Sequence, residues 1–195
     1  MTSITFVRHG ITDHNIENRA QGHTQNPLNE TGRMQAALVA KRLAGEPWDL
    51  FISSDLRRAR ETADIIAAEI KKPVDFYDVR LREMDRGKIA DTTEAERVQR
   101  WGARWHELDM EQETDEMMRA RGRSFVEEMV ARFPGQKILA VTHGYFLGQT
   151  LKELMQDEST GVKLRNTSVT TIVLNDTAWT YSLYDCIKHL EVTEG

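Results

Sequence analysis

The chain of 195 residues has one cysteine, Cys186. A single cysteine excludes a disulfide framework within the chain and a CxxC metal site. Long hydrophobic runs are also absent, because no stretch approaches the roughly 18 apolar residues that span a membrane. The short apolar run after Ser3 has no basic flank and meets Arg8 at once, unlike a secretory signal. We therefore expect a cytoplasmic protein.

An excess of positive charge is also absent, because 31 acidic residues outnumber 26 lysines and arginines and the formal net charge is −5. This balance gives no general attraction to nucleic acid or to an anionic membrane, so we expect neither as a partner. The sequence has no GxxxxGK[ST] phosphate loop, and HELDM at 106–110 lacks the second histidine of a zinc HExxH motif. We expect no metal and no cofactor. Any anionic substrate must be held by locally clustered cations.

The pattern that is present alternates apolar strand-like runs with amphipathic helical segments, which predicts an α/β fold of one domain. We expect a three-layer sandwich with a mostly parallel central sheet and helices on both faces. The predicted strands are 4–7, 49–53, 74–77 and 137–142, the predicted helices are 31–44, 56–70 and 145–155, and the closing hairpin pairs 168–174 with 178–184 across an Asn-Asp-Thr turn.

One region, at about 86–123, has no strand pattern and is predicted to be a helical insertion over the active site. Thr93 and Glu96 form a capping box at its first helix. Apolar residues continue at helical spacing to Leu108, so we expect a buried stripe. A second helix is predicted to begin near Thr114.

Two strand-like runs end in the same dipeptide, His9-Gly10 and His143-Gly144. In α/β sheets, ligands bind outside the carboxyl ends of the strands, so these pairs are candidates for one shared site. Glycine beside each histidine permits close approach of the backbone. The helix after the second strand begins SSDLRRARETA, with Ser54 or Asp55 as the expected N-cap and one of Arg57, Arg58 and Arg60 as a possible anion ligand.

The candidate site therefore combines Arg8, His9, His143 and one arginine from the start of this helix. They would form a small cationic cluster in an acidic chain, and such a cluster suits a phosphoryl group. A leaving alkoxide also needs a proton donor. Glu83 in LREMD is a candidate, although on sequence alone it is one carboxylate among many.

Four motifs together resemble the histidine phosphatase superfamily, in its phosphoglycerate-mutase-like branch. They are RHGIT at 8–12, SDLRRARETA at 54–63, LRE at 81–83 and THG at 142–144. Each motif is weak alone, but their order and spacing are specific, and the resemblance extends along the whole chain.

The resemblance implies roles for individual residues. His9 would be the nucleophile that forms a phosphohistidine, Glu83 the general acid and then the base, and His143 a ligand of the phosphoryl oxygens. Arg8 and Arg58 would bind the phosphate, and the loop residues Asn15, Gln21 and Gly22 would line the site. We expect Tyr145, Arg97 and Trp101 to influence specificity, together with the segment 117–121.

We therefore expect a metal-independent phosphomonoester hydrolase that acts on a small phosphorylated metabolite. A phosphoglycerate mutase-type phosphoryl transfer is the nearest alternative, and a non-catalytic phosphate-binding module is the next. The mixed charge of the predicted insertion favours hydrolysis over mutase activity. A homodimer through a sheet edge or the hairpin is possible.

Overall fold

The computed structural model describes residues 1–161, 163–175 and 178–191. A sheet of six strands in the order β3-β2-β4-β1-β5-β6 forms the centre. The strands are β1 (Ser3–Arg8), β2 (Leu50–Ser53), β3 (Phe76–Tyr77), β4 (Lys137–Thr142), β5 (Val169–Asn175) and β6 (Ala178–Cys186).

The inner pairings of the sheet, β1 with β4, β4 with β2, and β2 with β3, are parallel. The strands β5 and β6 continue the sheet in antiparallel fashion from the other side of β1. Parallel strands buried on both faces read as continuous apolar runs, as ILAV in β4 does here. The predicted α/β fold with a mostly parallel sheet is confirmed, and the hairpin makes the sheet a mixed one. The middle of the predicted hairpin turn, residues 176–177, lies outside the described residues.

Helices cover both faces of the sheet. The helices α2 (Glu30–Leu43) and α3 (Arg57–Ile70) pack on one face, over a core that includes Phe51, Leu139 and Val141. The helices α5 (Asp115–Arg132) and α6 (Gly144–Met155) pack on the other, over Ile4, Phe6 and Ile138. Successive strand residues therefore face opposite layers. The short helices α1 (Asp13–Ile16) and α4 (Glu94–Trp101) lie outside this sandwich.

The expected buried stripe on α4 is wrong. No residue of α4 is buried. Gly102, with φ of +83°, ends the helix, although apolar residues continue at helical spacing beyond it. Trp105 begins a separate 3₁₀ turn, and Leu108 is 52% exposed. A left-handed residue breaks the helical phase, so the later apolar residues cannot share one face.

The expected N-cap of α3 is also wrong. Leu56 takes the N-cap position without a side-chain hydrogen bond. Asp55 instead accepts a hydrogen bond of 2.7 Å from Nε of Arg82. This ion pair ties the start of α3 to the segment that carries Glu83.

The predicted insertion at 86–123 contains two structurally different parts. Residues 86–114 hold α4 and short 3₁₀ turns, whereas α5 begins at Asp115, runs to Arg132 and packs in the core of the sandwich. Among the described residues, no helix is both long and apolar enough to cross a membrane.

Candidate active site

The sheet register brings the two histidines together. In the parallel pairing of β1 with β4, Arg8 lies opposite Thr142, so His9 and His143 leave the sheet side by side. The amide of His9 donates to the carbonyl oxygen of Thr142 at 2.9 Å. Their ring centroids are 5.1 Å apart. The repeated dipeptide thus marks one site at the carboxyl edge of the sheet.

Both neighbouring glycines are required by close packing. A Cβ on Gly10 would lie 2.5 Å from the carbonyl oxygen of Gly32 in α2. A Cβ on Gly144 would lie 2.9 Å from Nε of Arg8. The first glycine lets α2 approach the loop after β1, and the second leaves room for the arginine.

The ring of His9 is held in one orientation by its backbone contact. Its side chain is buried, and Nδ1 donates to the carbonyl oxygen of Gly10 at 2.7 Å. That bond places the ring proton on Nδ1 and leaves the lone pair on Nε2. Burial lowers the pKa of His9 well below 6.5, and the positive charges of Arg58 and Arg8 lower it further. The neutral ring is therefore the stable form.

His143 is fully buried beside it. Its Nε2 lies 2.8 Å from Oγ of Ser54, whereas Nδ1 has no partner among the described residues. With the Ser54 hydroxyl as donor to Nε2, the ring proton stays on Nδ1. Burial, followed by the charges of Arg58 and its neighbours, lowers the pKa of His143 well below 6.5. The neutral ring can then donate one hydrogen bond to an anion.

Arg58 is a cation at zero exposure. Its Nη1 and Nη2 donate to the carbonyl oxygens of Thr24 and Gly22, at 3.0 and 2.9 Å. Its Nε has no partner in the described part of the chain. Burial lowers the pKa of Arg58 to about 10, because the charged guanidinium is removed from water. Of the three arginines at the start of α3, only Arg58 lines the cavity described below; Arg57 pairs with Glu61 at the surface.

Arg8 completes the cationic floor. Its Nη1 donates to the carbonyl oxygen of Leu164, and its Nε is buried without a partner among the described residues. Burial lowers the pKa of Arg8, an effect that the negative charges of Glu83 and Asp185 oppose. Two unpartnered guanidinium N–H groups and the free Nδ1 of His143 match the several oxygens of a phosphoryl group.

Glu83 lies on the wall of the same cavity. Its Oε1 accepts from the amides of Met84 and Phe146, both at 2.9 Å, and its Oε2 accepts from the amide of Tyr145 at 3.2 Å. Tyr145 and Phe146 belong to the first turn of α6, where amides lack helical partners. Among the residues that the structure describes, backbone amides rather than an ion pair therefore hold the carboxyl group.

The loop residues predicted to line the site do so. The cavity has a volume of about 500 Å³, and Asn15, Gln21 and Gly22 contribute to its wall together with His9 and Arg58. Gln21 accepts a hydrogen bond from Thr12, and Gly22 has φ of +52°. The positive φ suits glycine and turns its carbonyl oxygen towards Arg58.

Tyr145 stands at the cavity wall and is 42% exposed. Its hydroxyl donates to Asp115 at 3.0 Å, and the guanidinium of Arg86 lies 5.3 Å from its ring centroid. Burial and the neighbouring Asp115 raise the pKa of Tyr145. Its position is consistent with the predicted part in specificity.

The structure does not bring Arg97 and Trp101 to this cavity. Arg97 binds Thr92 and Glu94 and lies 5.1 Å from the ring centroid of Trp105. Trp101 borders a separate surface depression with Gly102 and Leu108. Both residues belong to α4, and no residue of this helix lines the cavity.

Sequence reasoning missed most residues at the rim of the cavity. Six polar side chains from five separate segments complete the wall: Arg19, Arg86, Asp115, Gln149, Lys152 and Lys163. No motif links them in sequence. Spacing at one turn of α6 could have indicated Gln149 and Lys152, since they follow Tyr145 on the same helix. In the described part of the chain, no group of three or more metal-binding side chains is placed to hold a metal ion.

Comparison with known proteins identifies the family. The sequence model of the histidine phosphatase superfamily (branch 1) matches residues 4–187. The chain belongs to the histidine phosphatase superfamily. Its similarity to phosphatases supports the same class of enzyme, and the resemblance stated from the four motifs is confirmed.

Similar proteins include phosphatases and mutases. An uncharacterized phosphatase, PhoE, of Bacillus subtilis is 30% identical over 97% of both chains. A metal-independent phosphoserine phosphatase of Arabidopsis thaliana is 30% identical over 97% of this chain and 84% of that protein. A probable phosphoglycerate mutase GpmB of Yersinia pestis is 34% identical over 92% and 88%. The structure of mycobacterial glucosyl-3-phosphoglycerate phosphatase with VO3 has a TM-score of 0.83 at 28% identity, covering 94% of this chain and 98% of that one.

Proposed function

We propose that this histidine phosphatase hydrolyses small phosphomonoesters through a phosphohistidine at His9. One observation supports this most directly, namely the hydrogen bond of 2.7 Å from Nδ1 of His9 to Gly10, which leaves Nε2 as the nucleophilic atom. A neutral imidazole of lowered pKa needs no base to activate it.

In the proposed first step, Nε2 of His9 attacks phosphorus as the bond to the leaving oxygen breaks. The Nε groups of Arg8 and Arg58 and Nδ1 of His143 have no partners among the described residues, which supports their binding the non-bridging oxygens. These preorganised donors stabilise the charge spread over those oxygens in the transition state. Glu83 gives its proton to the leaving oxygen.

In the second step, Glu83 takes a proton from water, and the resulting hydroxide oxygen attacks the phosphohistidine. Phosphate leaves, and His9 returns to its neutral form. Atoms and protons balance, since the proton that Glu83 lost in the first step is recovered from water in the second.

The charged side chains at the rim of the cavity favour a substrate that carries a second negative group besides the phosphoryl group. Arg19 is occupied by Glu96, at 2.8 Å, and Lys152 lies 3.5 Å from Glu158. Arg86, by contrast, contacts the Tyr145 ring and forms no ion pair with another described residue. We propose that Arg86 binds a carboxylate or second phosphate of the substrate.

The test is phosphate release from a panel of phosphomonoesters in the presence of a chelator. The panel includes p-nitrophenyl phosphate, phosphoserine and 3-phosphoglycerate. The wild type is compared with His9→Ala and with a control, His14→Ala, because His14 binds Asp91 outside the cavity. We expect turnover in the wild type and in His14→Ala, and none in His9→Ala. Isomerisation of 3-phosphoglycerate without phosphate release would instead favour a mutase.

A further inference from the structure

The segment that carries Glu83 has no regular secondary structure of its own. It runs between two 3₁₀ turns, Val79–Leu81 and Gly87–Ile89. A loop residue used for proton transfer needs external support, because a displacement of about 1 Å can cost on the order of 100-fold in rate.

Arg121 of α5 supplies that support. Its Nη1 donates to the carbonyl oxygens of Arg80 and Arg82, at 2.6 and 2.7 Å, and its Nη2 donates to that of Glu83 at 3.2 Å. The remaining donors bind Glu113, with Nε at 2.6 Å and Nη2 at 2.8 Å from its carboxylate oxygens. All five N–H groups of the guanidinium are thus used.

Glu113 holds the other end of the same segment. Its amide donates to the carbonyl oxygen of Asp85 at 2.9 Å, and its Oε2 accepts from the amide of Asp85 at 3.1 Å. The side chains of Arg121 and Glu113 are 18% and 10% exposed, so their ion pair is largely shielded from water. Together they fix the backbone on both sides of Glu83.

The same guanidinium contacts the partner of the Glu83 carboxyl group. It lies 4.3 Å from the ring centroid of Phe146, whose amide donates to Oε1 of Glu83. One side chain therefore touches both the backbone of Glu83 and the helix turn that receives its carboxyl group. Neither Arg121 nor Glu113 lines the cavity.

We propose that Arg121, held by Glu113, is a positioning residue that sets the place of Glu83 for proton transfer to the leaving group. The inference rests on the proposed function of Glu83. It predicts that loosening the clamp slows reactions that need a proton donor more than reactions that do not.

The test compares Arg121→Lys and Glu113→Gln with a matched control, Arg123→Lys. Arg123 lies on the same helix and its side chain is 52% exposed. The kcat for an alkyl phosphate, whose leaving group must be protonated, is measured beside that for p-nitrophenyl phosphate, whose leaving group needs little protonation. For Arg121→Lys we expect a loss on the order of 10 to 100-fold for the alkyl ester, about threefold or less for the aryl ester, and no change in the control.

A double variant separates positioning from general damage. In a Glu83→Gln background the acid is already absent, so Arg121→Lys should cause no further loss with the alkyl ester. Equal losses on both esters, or additive losses in the double variant, would show a merely structural role and overturn the proposal.

A second readout does not depend on turnover. The amides of Tyr145 and Phe146 donate to Glu83, so their hydrogen exchange should be faster in Arg121→Lys than in the wild type and in Arg123→Lys. Unchanged exchange would overturn the positioning role even if the wild type released no phosphate. Faster exchange with an inactive wild type would overturn only the proposed function.

Discussion

Replacement of Gly144 by alanine tests whether activity depends on the position of the Arg8 guanidinium. The added Cβ would lie 2.9, 3.1 and 3.2 Å from Nε, Cζ and Cδ of Arg8. Optimal separations between carbon atoms are about 3.5 to 4.0 Å. Nε of Arg8 is buried and its Nη1 donates to the carbonyl oxygen of Leu164, so the guanidinium must shift by roughly 0.5 to 1 Å to admit the methyl group.

The expected consequences for rate and stability differ in size. A shift of this size in Arg8, which is proposed to bind the phosphoryl group, should lower kcat/KM for p-nitrophenyl phosphate by on the order of 100-fold. Overpacking costs about 1 to 3 kcal/mol in the free energy of unfolding, and the better helix propensity of alanine at the start of α6 offsets at most about 1 kcal/mol. The variant should therefore fold but turn over slowly.

The assays are steady-state kinetics, calorimetric titration with inorganic phosphate, and urea unfolding. Gly45→Ala is the matched control, because a Cβ there meets no atom of the described residues within 4 Å. We expect the control to match the wild type in all three assays. A Gly144→Ala enzyme with wild-type kcat/KM and phosphate affinity would refute the reasoning, since Arg8 would not need its observed position.

Three further predictions concern other parts of the site. Glu83→Gln should slow hydrolysis of alkyl esters more than that of aryl esters, and equal losses measured by steady-state kinetics would exclude Glu83 as the acid. Arg86→Met should raise KM for 3-phosphoglycerate about tenfold but leave KM for p-nitrophenyl phosphate nearly unchanged. A similar change in both KM values would mean that Arg86 does not bind the carboxylate of 3-phosphoglycerate. Because burial lowers the pKa of His9 and His143 well below 6.5, the unfolded chain binds more protons than the folded one below that pH. The contribution of the two histidines to the free energy of unfolding should therefore be complete above pH 6.5. It should fall as the pH decreases, by up to about 1.4 kcal/mol per pH unit for each histidine. Urea unfolding that gives the same free energy at pH 7 and pH 5 would contradict this.

The sequence predicted the floor of the site because local patterns determine it. Each histidine directly follows a strand, and parallel strands end at the same edge of a sheet. Because Arg8 pairs with Thr142, the histidines that follow these two residues lie side by side. Arg58 could be chosen among its neighbours only by the family resemblance, because the sequence does not show which arginine a helix turns inwards.

The rim and the supports of the site could not be predicted in the same way. Arg121 and Glu83 are 38 positions apart, and their link runs through backbone carbonyl groups that any sequence would offer. The buried stripe predicted after Thr93 was wrong because a local feature was overlooked. Apolar residues continue at helical spacing, but Gly102 ends the helix before them. Loop geometry and long-range side-chain contacts therefore decide which residues complete the cavity.

The most direct test of the central claim is to identify the phosphorylated residue during turnover. Wild-type enzyme is mixed with an ester labelled in its phosphoryl group, quenched in alkali within one turnover, and digested for mass spectrometry. We expect the label on the peptide that contains His9, and no label and no turnover in His9→Ala. Label on another residue, or turnover that persists in His9→Ala, would contradict nucleophilic catalysis by His9.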